Sequence, residues 1–481
     1  MASERNLRAD QEPRFGYEFA WGLMKAALVK LQATRTDALT GGKRLRTALL
    51  KTEIALVTCL ALLQCVLMFK ALHGRATQRD FTVYYLSAKA LDSHLNPYMV
   101  DFSPTVEKLG YDTGGVTHAT DPPTFVLMLA PLAHLPIERA FWAWTAINAL
   151  CFAVSIFLLF GPYSQVSPYA AWALAPLFVW YPPISGHFFF GQSKMPLLLM
   201  LSLMMRLMDW GLEGAAGIAL AFAILTRAFP VVIIGYLMLQ RRWRTLAYTA
   251  ISLAAGGILT LVLLGPTDTL SFTRGISTLT HDHWAAMVQN LSLNAFILRI
   301  FWVAAAGQPY GLIDQIRRLT VICANLVVLW LTVRATLSSP TREDPDWRLL
   351  SLWIATSVIL SPIAWFYYEV LFLILFAQLA AAASHGRVSR RALAMAAASC
   401  FIILAWVCFF TEIGGDAPTW PQRLLREGGF FSMVAAYVAA YWFAMDRVDA
   451  APVPLLGLPV MAYRRLVGAE SRARPSESSV A

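Results

Sequence analysis

The stretch "LVTCLALLQCVLMFKALHGRATQRDFTVYYLSAKALDSHLNPY", residues 56–98, sets the reading of the whole chain. Its first part completes an apolar run over residues 49–70, close to the ~20 residues needed to cross a bilayer. A short polar stretch later come Arg79 and Asp80, the pair Tyr84 and Tyr85, and the turn Asn96-Pro97-Tyr98. Phe81, Tyr84, Tyr85, Ala88 and Leu91 recur at helical spacing. The segment therefore predicts a short amphipathic helix on the membrane surface with an acid at its start. A carboxylate there has two readings. The helix dipole favours an anion in the first turn, and a partly desolvated carboxylate facing an acceptor is able to take a hydroxyl proton as a general base.

Beyond this stretch, 58% of the 481 residues are hydrophobic and 14% charged, against about 45–50% and about 25% in soluble domains. This is the composition of an all-α polytopic membrane protein. Twelve crossings are predicted, at 50–70, 122–136, 139–160, 168–185, 194–209, 213–240, 244–265, 312–335, 347–361, 365–384, 391–410 and 429–446. They make one membrane domain, 49–446, with large outer loops at 71–121 and 266–311 and a further outer segment at 411–428. Residues 1–48 form a cytoplasmic segment whose stretch 17–31 reads as an in-plane helix, and 447–481 a partly disordered cytoplasmic tail. Two crossings are irregular in prospect. "WYPPISGHFFFGQSK", 180–194, suggests a re-entrant turn, and 213–240 carries Arg227 and Pro230 midway, so it is kinked or split.

The net charge is +10, and the basic residues gather in the first fifty positions, at "RRWR" 241–244 and at "HGRVSRR" 385–391. Those are span-flanking sites where positive-inside bias acts. The excess reports topology and contact with anionic membrane lipid rather than a nucleic-acid partner. All six cysteines fall in apolar stretches, which gives neither a disulfide framework nor a metal-binding spacing.

Several polar residues stand out against this background. Asp121 before Pro122 and Pro123 reads as a helix N-cap, with His118 close by. Gln192 and Lys194 in "GHFFFGQSK" belong either to a turn where the lysine snorkels or to a pocket wall. Arg227, inside a predicted span, is a functional-site candidate whose natural partner is an anionic phosphate. His281 and His283 alternate, but this short stretch does not read as a complete metal-ligand set. Asn290 and Arg299 are placed to contact a substrate. Trp365, Tyr367 and Tyr368 fit an aromatic belt, whereas Glu369 inside the same span is harder to explain as one.

Taken in order, these residues resemble glycosyltransferase family 87, a group of GT-C integral-membrane enzymes that includes polyprenol-phosphate-mannose-dependent mannosyltransferases and arabinosyltransferases. The similar elements are D-F-x-x-Y-Y with the following N-P-Y (Asp80 to Tyr98), D-P-P-T-F…A-P-L (121–132), G-Q (191–192), Arg227 before Pro230, R-R-W-R, N-L-S-L (290–293) with Arg299, and S-P-x-x-W (361–365). The resemblance implies the GT-C architecture, with interfacial helices in the first outer loop and an active site at the outer face of the cell (inner) membrane. It implies an inverting, metal-independent hexosyltransferase without a cofactor. A polyprenyl-phosphate sugar would be the donor, mannose or alternatively arabinose, and a glycolipid or envelope glycan the acceptor. By motif position Asp80 matches the catalytic aspartate. The histidine that family members often carry after S-P-x-x-W, where it is thought to meet the donor phosphate, is absent. Arg299, Arg227, Tyr367 and Tyr368 are the expected substitutes, with Tyr84, Tyr85, Asp121, Gln192, Asn290 and Trp365 for sugar and acceptor. The rival class is a lipid or solute transporter, against which stand the acid-bearing first outer loop and the lack of an inverted repeat.

Overall fold

The computed structural model describes residues 43–77, 80–160, 180–281, 283–302, 311–339, 345–384, 388–410 and 420–446. The in-plane helix at 17–31, the tail 447–481, most of the crossing at 168–185 and Arg79 lie outside the described residues. Within them the chain is all helical, as its composition requires, and an isolated bridge between Asn290 and Trp365 pairs two loops.

Among the described residues, six helices are long and apolar enough to cross a membrane: Ile137–Phe160, Trp243–Ile276, Leu312–Leu337, Phe366–Ala383, Arg390–Phe409 and Gly428–Met445. Their surroundings sort them into two layers. The most apolar windows of Trp243–Ile276 and Leu312–Leu337 are only 11% and 17% buried, so these two face outward with Val262, Leu263 and Trp330 exposed. Phe366–Ala383 and Gly428–Met445 are 78% and 61% buried and form the centre. A helix that is apolar all round and exposed belongs in lipid.

The segment 122–136 is not a crossing. It folds as Pro123–Leu129 and a 3-10 turn, Ala130–His134, together about 20 Å long against ~30 Å of hydrocarbon. These pieces pack instead against the interfacial helix Asp80–Asp92, where Tyr85 donates from its hydroxyl to the Leu135 carbonyl at 2.9 Å. That helix has its acid in the first turn as expected, but nine of its thirteen residues are buried in protein, unlike an amphipathic helix lying on a membrane surface.

The segment 213–240 is a hairpin rather than one kinked span. Glu213–Thr226 rises to a break at Arg227, whose backbone is extended (φ −150°, ψ 114°), and Pro230 then allows only a 3-10 turn, Phe229–Val232. Ile233–Leu239 returns to the starting level, because the Arg242 guanidinium reaches Glu213 at 3.6 Å. Arg227 is therefore carried at the tip.

Two further features bring residues to that tip. Pro182–Phe189 is a short helix, followed by Gly191 in the left-handed region (φ +64°). A Cβ at Gly191 would lie 2.7 Å from that of Phe81, so only glycine lets this turn approach the interfacial helix. "GHFFFGQSK" thus sits at the Asp80 end of the bundle, not at the Arg-rich end expected for it. The helix Trp243–His281 bends at Gly265-Pro266 and carries Asp268 and Ser271 to the side chain of Asn96, which donates to them at 2.8 and 3.2 Å. The outer loop assigned to 266–311 is accordingly helical over its first part.

Candidate active site

At the Asp80 end opens a cleft with about 570 Å³ of space including its solvent-open mouth. Asp80, Val83 and Tyr84 come from one face of the interfacial helix, and Val116, Thr120 and Asp121 from the loop behind it. Gln192 and Lys194 follow Gly191, and Arg227 is the hairpin tip. Trp284, Ile363, Trp365, Tyr367 and Tyr368 close the far side. The elements that supply these groups are distant in sequence, and the cleft exists only once the helices pack.

Gln192 is the hub. Its amide donates to the Asp80 carboxylate and, at 2.8 Å, to the Tyr367 hydroxyl. Its carbonyl accepts from the Tyr84 hydroxyl at 3.0 Å and from Lys194 Nζ at 3.2 Å. Tyr367 in turn donates to Asp80 Oδ2 at 3.4 Å. The half-buried carboxylate accepts from two neutral side-chain donors, Gln192 and Tyr367. Asp80 also stands in the first turn of its helix, where the dipole favours an anion.

Arg227 is engaged on all sides. Its Nη1 pairs with Asp121, its Nε and Nη2 donate to Ser193 Oγ at 3.1 and 2.5 Å, and Nη2 reaches the Tyr84 hydroxyl at 2.8 Å. The Phe125 ring lies 5.1 Å beneath the guanidinium. Asp121 is thus no helix cap. Pro122 takes the cap position without a side-chain bond, and the Asp121 carboxylate goes to the arginine. Burial pushes the Tyr84 hydroxyl well above its ordinary range, with Arg227 pulling in the other direction, so it remains a proton donor in the cleft.

Lys194, 1% exposed, opens the helix Lys194–Asp209. Its Nζ sits 4.2 Å over the Tyr368 ring and 5.6 Å from that of Tyr367. The turn before it is fixed by His187, whose Nε2 accepts from the backbone N–H groups of Lys194 (2.9 Å) and Met195 (3.3 Å). His187 therefore does the work of an N-cap for that helix.

Three expected contacts do not line this cleft. Tyr85 points away and bonds to Leu135. Asn290 pins two loops: its Oδ1 accepts from the N–H groups of Ser292 (3.2 Å) and Ala364 (3.0 Å), and its Nδ2 donates to the Ala285 carbonyl at 3.3 Å. Arg299 grips both carboxylate oxygens of Glu427 at 2.7 and 2.6 Å, and the carbonyls of Met287 (2.7 Å) and Asn290 (2.9 Å). A guanidinium with four of its five N–H donors on those acceptors, and its charge met by Glu427, ties loop to helix. The side chains of His281 and His283 lie outside the described residues, and Glu369 is fully buried away from the cleft between Tyr181 and Ser432 (3.0 and 3.1 Å). Trp284, Val116 and Thr120 line the cleft with no distinguishing sequence signal, whereas the importance of Lys194 was readable in a lysine two residues from Gln192 amid apolar neighbours.

A multi-helix membrane fold with an aspartate in a cationic, aromatic cleft fits the class of the membrane glycosyltransferases, and the family comparison shows that class. Within it the chain belongs to glycosyltransferase family 87, whose sequence model matches residues 119–362. Asp121, Gln192, Lys194 and Arg227 fall in the matched part, and Asp80, Trp365, Tyr367 and Tyr368 outside it. The chain is also 23% identical over 274 residues to the polyprenol-phosphate-mannose-dependent alpha-(1-2)-phosphatidylinositol mannoside mannosyltransferase of Mycolicibacterium smegmatis. That similarity covers 52% of this chain and 59% of the relative, so the chain spans about three-fifths of that protein's length. No solved structure matches.

Proposed function

We propose that this glycosyltransferase moves a hexose, mannose in the first instance, from a polyprenyl-phosphate donor to a hydroxyl of a glycolipid or envelope glycan, with inversion at the anomeric carbon. The observation that carries the reading is a carboxylate and two cations, Asp80, Lys194 and Arg227, opening on one cleft walled by Tyr84, Trp365, Tyr367 and Tyr368. The printed name of the relative, a polyprenol-phosphate-mannose-dependent enzyme acting on phosphatidylinositol mannoside, supports donor and acceptor class.

The step balances without a further reactant. The acceptor O–H bond breaks and its proton goes to the Asp80 carboxylate. The freed oxygen bonds to the anomeric carbon as the bond from that carbon to the phosphate oxygen breaks, and its electron pair leaves on the polyprenyl phosphate. Gln192 and Tyr367 hold Asp80 in place, and the ring faces of Tyr84 and Trp365 offer stacking surfaces to a sugar. Arg206, Arg242 and Arg348 lie at the opposite end of the bundle, with Asp446 beside Arg348. Positive-inside bias supports a cytoplasmic placement of that end, with the cleft at the outer face of the cell membrane.

Purified protein given radiolabelled polyprenyl-phosphate sugars tests the reaction and chooses the sugar. Transfer to a lipid or glycan acceptor is expected; translocation of label without transfer would instead make the protein a transporter. For sidedness, Ser93→Cys, at an exposed position beside the interfacial helix, should react with an impermeant maleimide in intact cells. Labelling only after lysis would reverse the orientation.

A further inference from the structure

The two cations in the cleft differ in what already satisfies them. Arg227 is neutralised by Asp121 and bonded to Ser193 and Tyr84. Lys194 carries three donors. Among the described residues its ammonium has a single hydrogen-bond acceptor, Gln192 Oε1 at 3.2 Å, and two tyrosine faces. It is 1% exposed, and it stands in the first turn of a helix, where the dipole disfavours a cation. Burial of an ammonium without a carboxylate partner is costly. An anion entering the cleft would supply the missing acceptor and countercharge.

His187 sharpens the point. Because its Nε2 accepts from the Lys194 and Met195 backbone, the ring holds its proton on Nδ1 and is neutral. The backbone donors an anion would otherwise use at this helix start are therefore filled, and the Lys194 side chain is the donor that remains.

Resting on the transfer reaction proposed above, we infer that Lys194 binds the phosphate of the leaving polyprenyl phosphate. The intact donor is a phosphodiester with one negative charge. When the bond to the anomeric carbon breaks, the electron pair stays on the phosphate and a second charge grows there. Lys194 then interacts more strongly with the transition state than with the bound donor, so its loss lowers kcat more than it raises KM.

The test uses the full-length protein in nanodiscs, as wild type and as K194M, with three probes: polyprenyl phosphate, polyprenol of the same length, and phosphatidylinositol as an acceptor-like phosphodiester. Wild type should prefer polyprenyl phosphate to polyprenol. In K194M that preference should shrink by about 10- to 100-fold, the scale of one charge-assisted hydrogen bond. The K194M thermal midpoint in the absence of added probe should equal or exceed that of wild type, because an apolar isostere replaces a buried, unpaired charge. A K194M protein that keeps the preference, or melts well below wild type, overturns the inference and leaves Lys194 a structural residue. A loss confined to phosphatidylinositol overturns it too, since the lysine would then serve the acceptor. If wild type itself shows no preference for the phosphate, the polyprenyl-phosphate donor falls, and the inference with it.

Discussion

Two arginine centres lie toward the same end of this molecule and do different things. Arg227 sits on a hairpin tip, pairs with Asp121 and shares Tyr84 with the hydrogen-bond network of Asp80. Arg299 sits on a helix, grips Glu427 and collects the carbonyls of Met287 and Asn290. Both are mostly buried, with 13% and 12% of their side chains exposed, so burial does not separate them. Their neighbours do. Arg227 shapes a cleft wall, whereas Arg299 closes a loop onto the bundle. An arginine deep in a membrane protein marks function only when its partners face an opening.

The largest expected effect breaks the cleft side of the comparison. Asp80→Asn preserves shape and removes the base, so sugar transfer should fall by about 10²–10⁴ while donor binding and thermal midpoint stay near wild type. Transfer within about tenfold of wild type would reduce Asp80 to a helix-start charge, a role with a stability effect of only about 0.3–1 kcal/mol. Arg227→Gln comes next. It leaves Asp121 buried without its countercharge, which should cost about 3–5 kcal/mol of stability and be visible as a lowered thermal midpoint. The surviving enzyme should also be slow, because Tyr84 and Gln192 lose their anchor.

Arg299→Gln sharpens the contrast from the other side. Stability should drop by about 3 kcal/mol, yet transfer per folded molecule should remain close to wild type. The second change Glu427→Gln should restore part of the stability, by a coupling of about 0.5–3 kcal/mol in a double-mutant cycle. A slow but stable Arg299→Gln enzyme would move this centre into the reaction. The smallest effect separates adjacent tyrosines. Tyr85→Phe loses one bond to Leu135, worth about 0.5–1.5 kcal/mol, and should leave the rate alone. Tyr84→Phe should slow transfer, since its hydroxyl joins Gln192 to Arg227.

The residue types of the site were legible because order along the chain carried them: Asp80, Tyr84, Asp121, Gln192, Arg227, Trp365, Tyr367 and Tyr368 all line the cleft. What the sequence could not say is which acceptors a side chain meets. Arg299 looked as available as Arg227 until Glu427, far away in the chain, came to rest against it. Likewise apolar run length predicts that a segment is buried in lipid or protein, not that it travels the whole distance. Residues 122–136 are apolar enough but broken after Leu129. At 213–240 the Arg227 and Pro230 signal for a break was present, yet a bend and a reversal look alike in sequence, and the contact between Glu213 and Arg242 decided it.

That reversal also bears on how the protein is made. Neither limb of the hairpin is long enough to be threaded through a bilayer by itself: Glu213–Thr226 extends about 21 Å against ~30 Å. A lone arginine at its tip would add about 2.5–3.5 kcal/mol to insertion. Asp121 leaves the ribosome about a hundred residues before Arg227, at ~5–20 residues per second, so the countercharge is in place first. The hairpin should therefore be integrated late, as a unit, by docking onto an already assembled Asp121 loop. Loss of Asp121 should then lower the amount of integrated protein before it affects any substrate step.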